Sequence, residues 1–200
     1  KFFENGSLTD EEVTRGLNLV VRSGGFIPVL VSAGSSETGV FRLLNAVIDL
    51  LPTPAEAQKA VAQSKNGEIT LEARDNGPLA IYVWKTTADP FVGKQTFFRL
   101  YSGSISPDAR IWNQTKGAEE RMASLSVIRG KETIPLKGLH AGDLGTVAKL
   151  SVTSTGDTLC EKGHPLTLPK PDYQHALFRV AVAPKTQADA AKITSSLTRL

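Results

Sequence analysis

Ala88-Asp-Pro-Phe-Val-Gly-Lys-Gln-Thr-Phe-Phe-Arg-Leu-Tyr-Ser-Gly103 decides how this chain is read. Asp89-Pro90 starts a turn, because proline fixes its own φ and drives the residue before it out of the helical region. Gly93 permits the reversal, and the run from Thr96 to Tyr101 is rich in β-formers. A loop feeding a strand is predicted. Outward from it the same pattern repeats, with strands expected over 79–85, 96–103, 109–113, 122–129, 145–152 and 166–168. Ser106-Pro107-Asp108 predicts a hairpin turn, with proline at its second position. Short strands separated by glycines predict a small closed β-barrel.

Upstream the periodicity is different. Thr9 followed by Glu12 forms a capping box, and Val13, Leu17, Val20 and Val21 share one helical face that Gly24-Gly25 ends. Phe26 to Val31 predicts a short buried strand. A second helix, capped by Ser35 or Ser36, carries apolar residues at Val40, Leu43, Leu44, Val47, Ile48 and Leu51 and stops at Pro52-Thr-Pro54. Residues 55–77 are polar and predict an interdomain connection with a short helix around 55–64. At the other end, residues 176–183 predict a strand, and Thr186 with Asp189 caps a last helix running to Leu200.

Two hundred residues suffice for a substantial core, and 40% apolar with 22% charged side chains excludes a disordered or fibrous chain. No apolar run spans a bilayer, since Val40 to Leu51 is interrupted by Arg42, Asn45 and Asp49. The start at Lys1, without Met or a long apolar leader, suggests an excised or processed piece. One cysteine, Cys160, excludes an internal disulfide and fits a reducing compartment, so a cytoplasmic location is expected. Residues 1–54 carry 4 basic and 6 acidic side chains, residues 55–165 carry 14 and 12, and residues 166–200 carry 5 and 2. A mildly basic centre and tail permit RNA contact through phosphate neutralisation without requiring it.

Five collinear stretches resemble elongation factor G, a translational GTPase. Pro28-Val-Leu-Val-Ser-Ala-Gly-Ser-Ser-Glu-Thr-Gly-Val-Phe-Arg-Leu-Leu-Asn-Ala-Val-Ile-Asp-Leu-Leu-Pro-Thr-Pro54 is similar to the last strand and helix of its GTPase domain. The stretch from Ala88 to Gly103 resembles the start of its domain II barrel. Ala141-Gly142-Asp143 and Thr155-Gly156-Asp157-Thr158-Leu159-Cys160 resemble late-barrel motifs, and Ala181 to Asp189 resembles the opening of domain III. The implied fold is mixed α and β: the end of an α/β GTPase domain over 1–54, a linker over 55–77, a translation-factor-type antiparallel β-barrel over 78–170, and the first β-α unit of a ferredoxin-like domain over 171–200.

What the resemblance implies for function is a central fragment that couples GTP binding and hydrolysis in its parent to ribosome binding during elongation. Ser32, Ala33 and Gly34 fall in the loop where the family's backbone N–H reaches the guanine carbonyl. Gly34 departs from the bulkier residue common there and resembles the elongation factor G-like paralogues, which puts ordinary translocation in doubt. In the family this barrel faces the small ribosomal subunit, so Arg110, Lys116, Arg121, Arg129 and Lys131, with Lys137 and Trp112 nearby, are its candidate RNA contacts. A monomer with ribosomal RNA and protein as partners, and no membrane, is expected.

The chemistry-bearing motifs are elsewhere or missing. Gly93-Lys94 is followed by Gln95 and Gly130-Lys131 by Glu132, so neither is a Gly-x-x-x-x-Gly-Lys-[Ser/Thr] phosphate loop. Without Asp-x-x-Gly or Asn-Lys-x-Asp, the fragment is expected to be inactive alone and to hold no cofactor, with GTP and magnesium belonging to the parent. His140, His164 and His175 lack metal-ligand spacing. Cys160 reads as a packed, inert thiol. Glu119-Glu120 reads as part of an exposed hairpin, although two carboxylates can form an acid–base pair. Tyr82/Trp84 and Phe97/Phe98 read as core or interdomain packing. The competing reading is a non-catalytic β-barrel module that binds RNA or protein.

Overall fold

The computed structural model describes residues 2–89, 93–172 and 174–197. The chain divides into two compact units, meeting in sequence between Gln58 and Lys59. The predicted turn at Pro90, Phe91 and Val92 lies outside the described residues, as does the expected run of the last helix over 198–200.

The first unit holds α1 (Phe2–Asn5), α2 (Asp10–Arg22) and α3 (Val40–Leu50). The capping box forms as the spacing predicts: Glu12 N–H donates to Thr9 Oγ1 at 3.3 Å, and Thr9 N–H donates to Glu12 Oε2 at 3.1 Å. Gly24, at φ 72°, carries the chain out of α2.

Two expectations fail in this unit. Phe26 to Val31 forms no strand, and Ile27, Val29 and Val31 are exposed. A strand needs a neighbour to complete its hydrogen bonds, and among the described residues of this unit there is only an isolated bridge between Ala33 and Thr38. Neither Ser35 nor Ser36 caps α3. Both lie in a 3-10 turn over Gly34–Ser36, and α3 begins after Gly39, which sits at φ 77° without a side-chain cap.

The second unit is dominated by antiparallel strands. These are β1 (Ala60–Ser64), β2 (Gly67–Leu71), β3 (Ala80–Asp89), β4 (Gly93–Ser102), β5 (Ala109–Asn113), β6 (Ala118–Met122), β7 (Leu125–Arg129), β8 (Glu132–Leu136), β9 (Leu144–Ala148), β10 (Thr158–Cys160) and β11 (Leu166–Thr167). One sheet has the order β6-β5-β10-β3-β4-β9-β7-β8 and forms a half-barrel, with β6 and β8 as its ends. The other has the order β11-β1-β2. The antiparallel barrel expected from the strand spacing is present, although its backbone ladder is open between β6 and β8 among the described residues.

Each face of β3 supports its own core, as the two-residue period of a strand requires. Ile81 and Val83 join Phe98, Leu100, Ile111, Met122, Leu125, Val147 and Leu159 inside the half-barrel. Ala80 and Tyr82 point the other way and pack with Ala62, Leu71, Cys160, Leu166 and Leu168 beneath the three-stranded sheet. Residues 60–71, expected within a connection that opens with a short helix, therefore form a hairpin that covers the outside of β3 and β10. Its apolar period-two positions, Ala60, Ala62, Ile69 and Leu71, are what β1 and β2 bury.

The two glycine-aspartate motifs build one device twice. Gly142 N–H donates to Leu100 O at 2.7 Å, and Leu100 N–H donates back to Asp143 O at 2.9 Å. Gly156 N–H donates to Val83 O at 2.7 Å, and Val83 N–H donates back to Asp157 O at 3.0 Å. In each loop the aspartate carboxylate accepts the N–H three residues upstream, from His140 and from Ser154, at 2.8 Å. Both glycines have positive φ, 100° and 86°, which L side chains rarely adopt.

Other differences are local. The stretch expected as one strand over 122–129 is two, β6 and β7. Pro107 and Asp108 do form a turn, closed by Ala109 N–H to Ser106 O at 3.3 Å with Asp108 at φ 66°. That turn joins β4 to β5, which do not pair, so it is not a hairpin turn. Residues 176–183 form no ladder, and Leu177 and Phe178 are exposed. The last helix, α4 (Gln187–Leu197), starts where Thr186 Oγ1 accepts Asp189 N–H at 3.2 Å. Among the described residues no helix is long and apolar enough to cross a membrane.

Candidate functional site

Two surfaces carry the residues singled out by sequence, one in each unit. The first is the loop from Val31 to Gly39. It doubles back on itself: Ala33 N–H donates to Thr38 O at 2.9 Å, and the hydroxyls of Ser36 and Thr38 lie 3.0 Å apart. Gly39 makes this reversal possible, since a Cβ there would stand 2.6 Å from the Val31 carbonyl oxygen. Ser32, Ala33 and Gly34 all remain exposed. Small side chains and an open backbone leave room for a flat ring to approach. The Ala33 N–H is already taken by Thr38.

The second surface comprises two hairpins. On the β5–β6 pair, Arg110 stands directly across from Arg121, and Trp112 across from Glu119. The two cations are separated by acidic partners: Arg110 Nη1 lies 3.5 Å from Glu119 Oε1, and Arg121 Nη2 lies 2.8 Å from Asp108 Oδ1. Lys116 is at the tip, where its N–H donates to Asn113 Oδ1 at 2.9 Å. On the β7–β8 hairpin, Arg129 Nη2 lies 2.9 Å from Glu132 Oε2, and Gly130 (φ 61°) with Lys131 forms the two-residue connection. The five candidate cations are thus divided between hairpins at the two ends of the sheet order. Three are ion-paired on an exposed surface, and Lys116 and Lys131 make no ion pair with a described residue.

The remaining polar residues are structural. Glu119 faces outward, but Glu120 faces inward between Ala118 and Met122, contrary to an exposed hairpin home for both. Its carboxylate accepts Ser151 N–H at 2.5 Å, Val152 N–H at 3.0 Å and Thr153 N–H at 3.0 Å, and also the hydroxyls of Ser151 and Thr153. Burial pushes its pKa up, but the Thr153 hydroxyl, Val152 N–H and both Ser151 groups outweigh that and hold it below the ordinary value. Beside it the buried Asn113 donates to Thr153 Oγ1 at 3.0 Å and to Asp157 Oδ2 at 2.9 Å. Sequence reasoning missed this network, although a charge at the inward register between Ala118 and Met122 was its visible signal.

The histidines are dispersed. His140 Nδ1 lies 2.8 Å from Asp75 Oδ2, and His164 Nδ1 lies 3.1 Å from Glu161 Oε2. Among the described residues no group of three His, Cys, Asp or Glu side chains is placed to hold a metal ion. Cys160 is buried between Ala80 and Trp112, and burial raises its thiol pKa, which keeps it protonated and unreactive. Trp112 packs against the second core, with its Nε1 donating to Gln114 at 3.0 Å.

Residues 78–162, which contain the half-barrel from β3 to β10, match the family model for elongation factor G domain 2. The barrel is therefore of the elongation factor G domain 2 family. A crystal structure of a Thermus thermophilus protein matches the fold with a TM-score of 0.69 and 25% sequence identity, covering 100% of this chain and 28% of that protein. The chain therefore spans about a quarter of the length of that protein.

Proposed function

We propose that this chain is the middle of an elongation factor G-like translational GTPase, and that its barrel transmits the nucleotide state of the GTPase domain to ribosome binding. The observation that carries this reading is the domain 2 match over residues 78–162. The chain's 28% share of the Thermus protein agrees with a part of a larger, multidomain factor.

In this reading Ser32, Ala33 and Gly34 approach the guanine base. With the Ala33 N–H engaged by Thr38, the contact to the base carbonyl falls to the N–H of Ser32 or Gly34. GTP and magnesium are ligands of the parent protein. The phosphates and the metal are held by residues other than these, since no phosphate loop occurs in the sequence. On the barrel, Lys116 and Lys131 meet RNA phosphates directly, and Arg110, Arg121 and Arg129 do so by exchanging an acidic partner for a phosphate. The partner is the small ribosomal subunit, in the cytoplasm.

The test is co-sedimentation of the full-length parent with ribosomes in GTP, a non-hydrolysable GTP analogue, GDP and ATP. Binding in the analogue that exceeds binding in GDP and ATP supports the reading. Equal binding in all four, or none, overturns it.

A further inference from the structure

A face of the barrel distinct from both hairpins has the composition of a nucleic-acid platform. The burial period of β4 directs Thr96, Phe98 and Leu100 inward and Gln95, Phe97, Arg99 and Tyr101 outward. Lys85 pairs with Phe97 in the ladder, and Trp84 is the extra residue of the β-bulge between Val83 and Lys85. On the other side of β4, Arg99 pairs with Leu144 of β9. Trp84, Lys85, Phe97, Arg99 and Leu144 therefore form one continuous outward patch.

The geometry within the patch is specific. The rings of Trp84 and Phe97 have centroids 5.5 Å apart and are tilted by 50°. Lys85 Nζ lies 6.0 Å from the Phe97 centroid, and the Arg99 guanidinium lies 5.0 Å from that of Tyr101. Trp84 is 43% exposed and Leu144 55%, on the face of the sheet opposite the half-barrel core, while Tyr82 and Tyr101 on that same face pack into the second core. The bulge gives Lys85 its position: Trp84 already shares a face with Ala80 and Tyr82, and a regular strand would have turned Lys85 into the half-barrel.

Charge separates this patch from the hairpins. Lys85 and Arg99 make no ion pair with a described residue, whereas Arg110, Arg121 and Arg129 each have a carboxylate partner. The Arg99 Nε is buried without a hydrogen-bond partner among the described residues. An aromatic step flanked by uncompensated cations suits a ligand with both flat faces and negative charge. We propose that the outward face of β3, β4 and β9 binds single-stranded RNA, with a base stacked on Trp84 and Phe97 and backbone phosphates at Lys85 and Arg99. The choice of RNA over an acidic peptide rests on the translational reading above; the location of the face does not.

The probe is a uridylate oligomer of about 12 nucleotides, titrated against the 200-residue chain carrying Trp112→Phe, so that Trp84 alone reports by fluorescence. The expected result is saturable quenching of Trp84 that weakens as salt rises, with a slope reduced by about 0.7 in each of Lys85→Gln and Arg99→Gln. Trp84→Ala, followed by anisotropy of a labelled oligomer, weakens binding at least about fivefold. Trp84→Phe retains binding, which separates loss of stacking from loss of fold. No binding by the parent chain, unchanged binding by a folded Trp84→Ala, or quenching by polyglutamate in place of the oligomer would each overturn the proposal. Oligomer binding at Trp84 combined with nucleotide-independent ribosome binding sinks the translational reading and leaves this face standing, and the converse pair of results sinks this face alone.

Discussion

The Glu120 carboxylate takes both the N–H and the hydroxyl of Thr153, joining the edge strand β6 to the loop before β10. The backbone ladder ends at β6, so this side chain does at the sheet's edge what a further strand would do with its main chain. Three consecutive N–H groups converge on the carboxylate, and that of Thr153 is fully buried.

Glu120→Ala is therefore expected to destabilise the barrel by about 2–4 kcal/mol, because it removes five hydrogen bonds at once and strands the buried N–H and hydroxyl of Thr153. Urea denaturation followed by circular dichroism measures this. Glu120→Gln, which keeps one acceptor oxygen, should fall between wild type and Glu120→Ala.

The same group sets an acid limb. Its folded pKa lies below its unfolded value, near 4.3, because the hydrogen bonds from Thr153, Val152 and Ser151 outweigh burial. A depressed carboxylate stabilises the fold above its unfolded pKa, and that stabilisation disappears as pH falls through the folded value. Melting temperature measured from pH 7 to pH 3 should drop for wild type below about pH 4.3. The Glu120→Gln variant, already less stable at pH 7, should drop less over the same window.

Gly145 is fixed by packing. A Cβ there would collide with Leu139 Cδ1 and stand 2.8 Å from Phe98 Cζ, and Phe98 is fully buried. Gly145→Ala should cost about 1–3 kcal/mol through overpacking. Gly163→Ala, where nothing lies within 4 Å, is the matched control with little change in the denaturation midpoint.

Asp75 anchors the first glycine-aspartate loop from outside. Its carboxylate accepts Ala141 N–H at 3.0 Å and contacts His140 Nδ1 at 2.8 Å, which together hold its pKa below the ordinary value. Asp75→Asn should speed hydrogen exchange at the Ala141 amide while leaving Gly142, bonded to Leu100, protected.

Much of this fold was legible in the sequence where local signals and burial agree. The capping box at Thr9, the cap at Thr186 and the strand over Ala109–Asn113 follow directly from spacing. The stretches over 26–31 and 176–183 carry β-like composition, but composition cannot supply the neighbour that a ladder requires. The β1–β2 hairpin was illegible for the opposite reason: Lys65-Asn66-Gly67 is a turn signal, yet β1 buries only alanines and both strands read as polar. Glu120 was hidden by its neighbour, since Glu119 and Glu120 look alike until the register of β6 sends them to opposite faces. At the candidate sites, sequence picked out Arg110 and Arg121 but could not show that Glu119 and Asp108 already engage them. It also read Trp84 as packing: alternation places Trp84 on one face with the buried Ala80 and Tyr82, and it could not show that this ring is left partly exposed.

The barrel's orientation on the ribosome is the central claim, and directed hydroxyl-radical cleavage tests it most directly. Cys160 is buried, so Lys116→Cys in the full-length parent gives one accessible thiol on the barrel for an iron chelate. The account predicts cleavage of small-subunit ribosomal RNA that is strong with a non-hydrolysable GTP analogue and weak with GDP. Cleavage independent of nucleotide, or no cleavage from a parent shown to bind GTP, would contradict it.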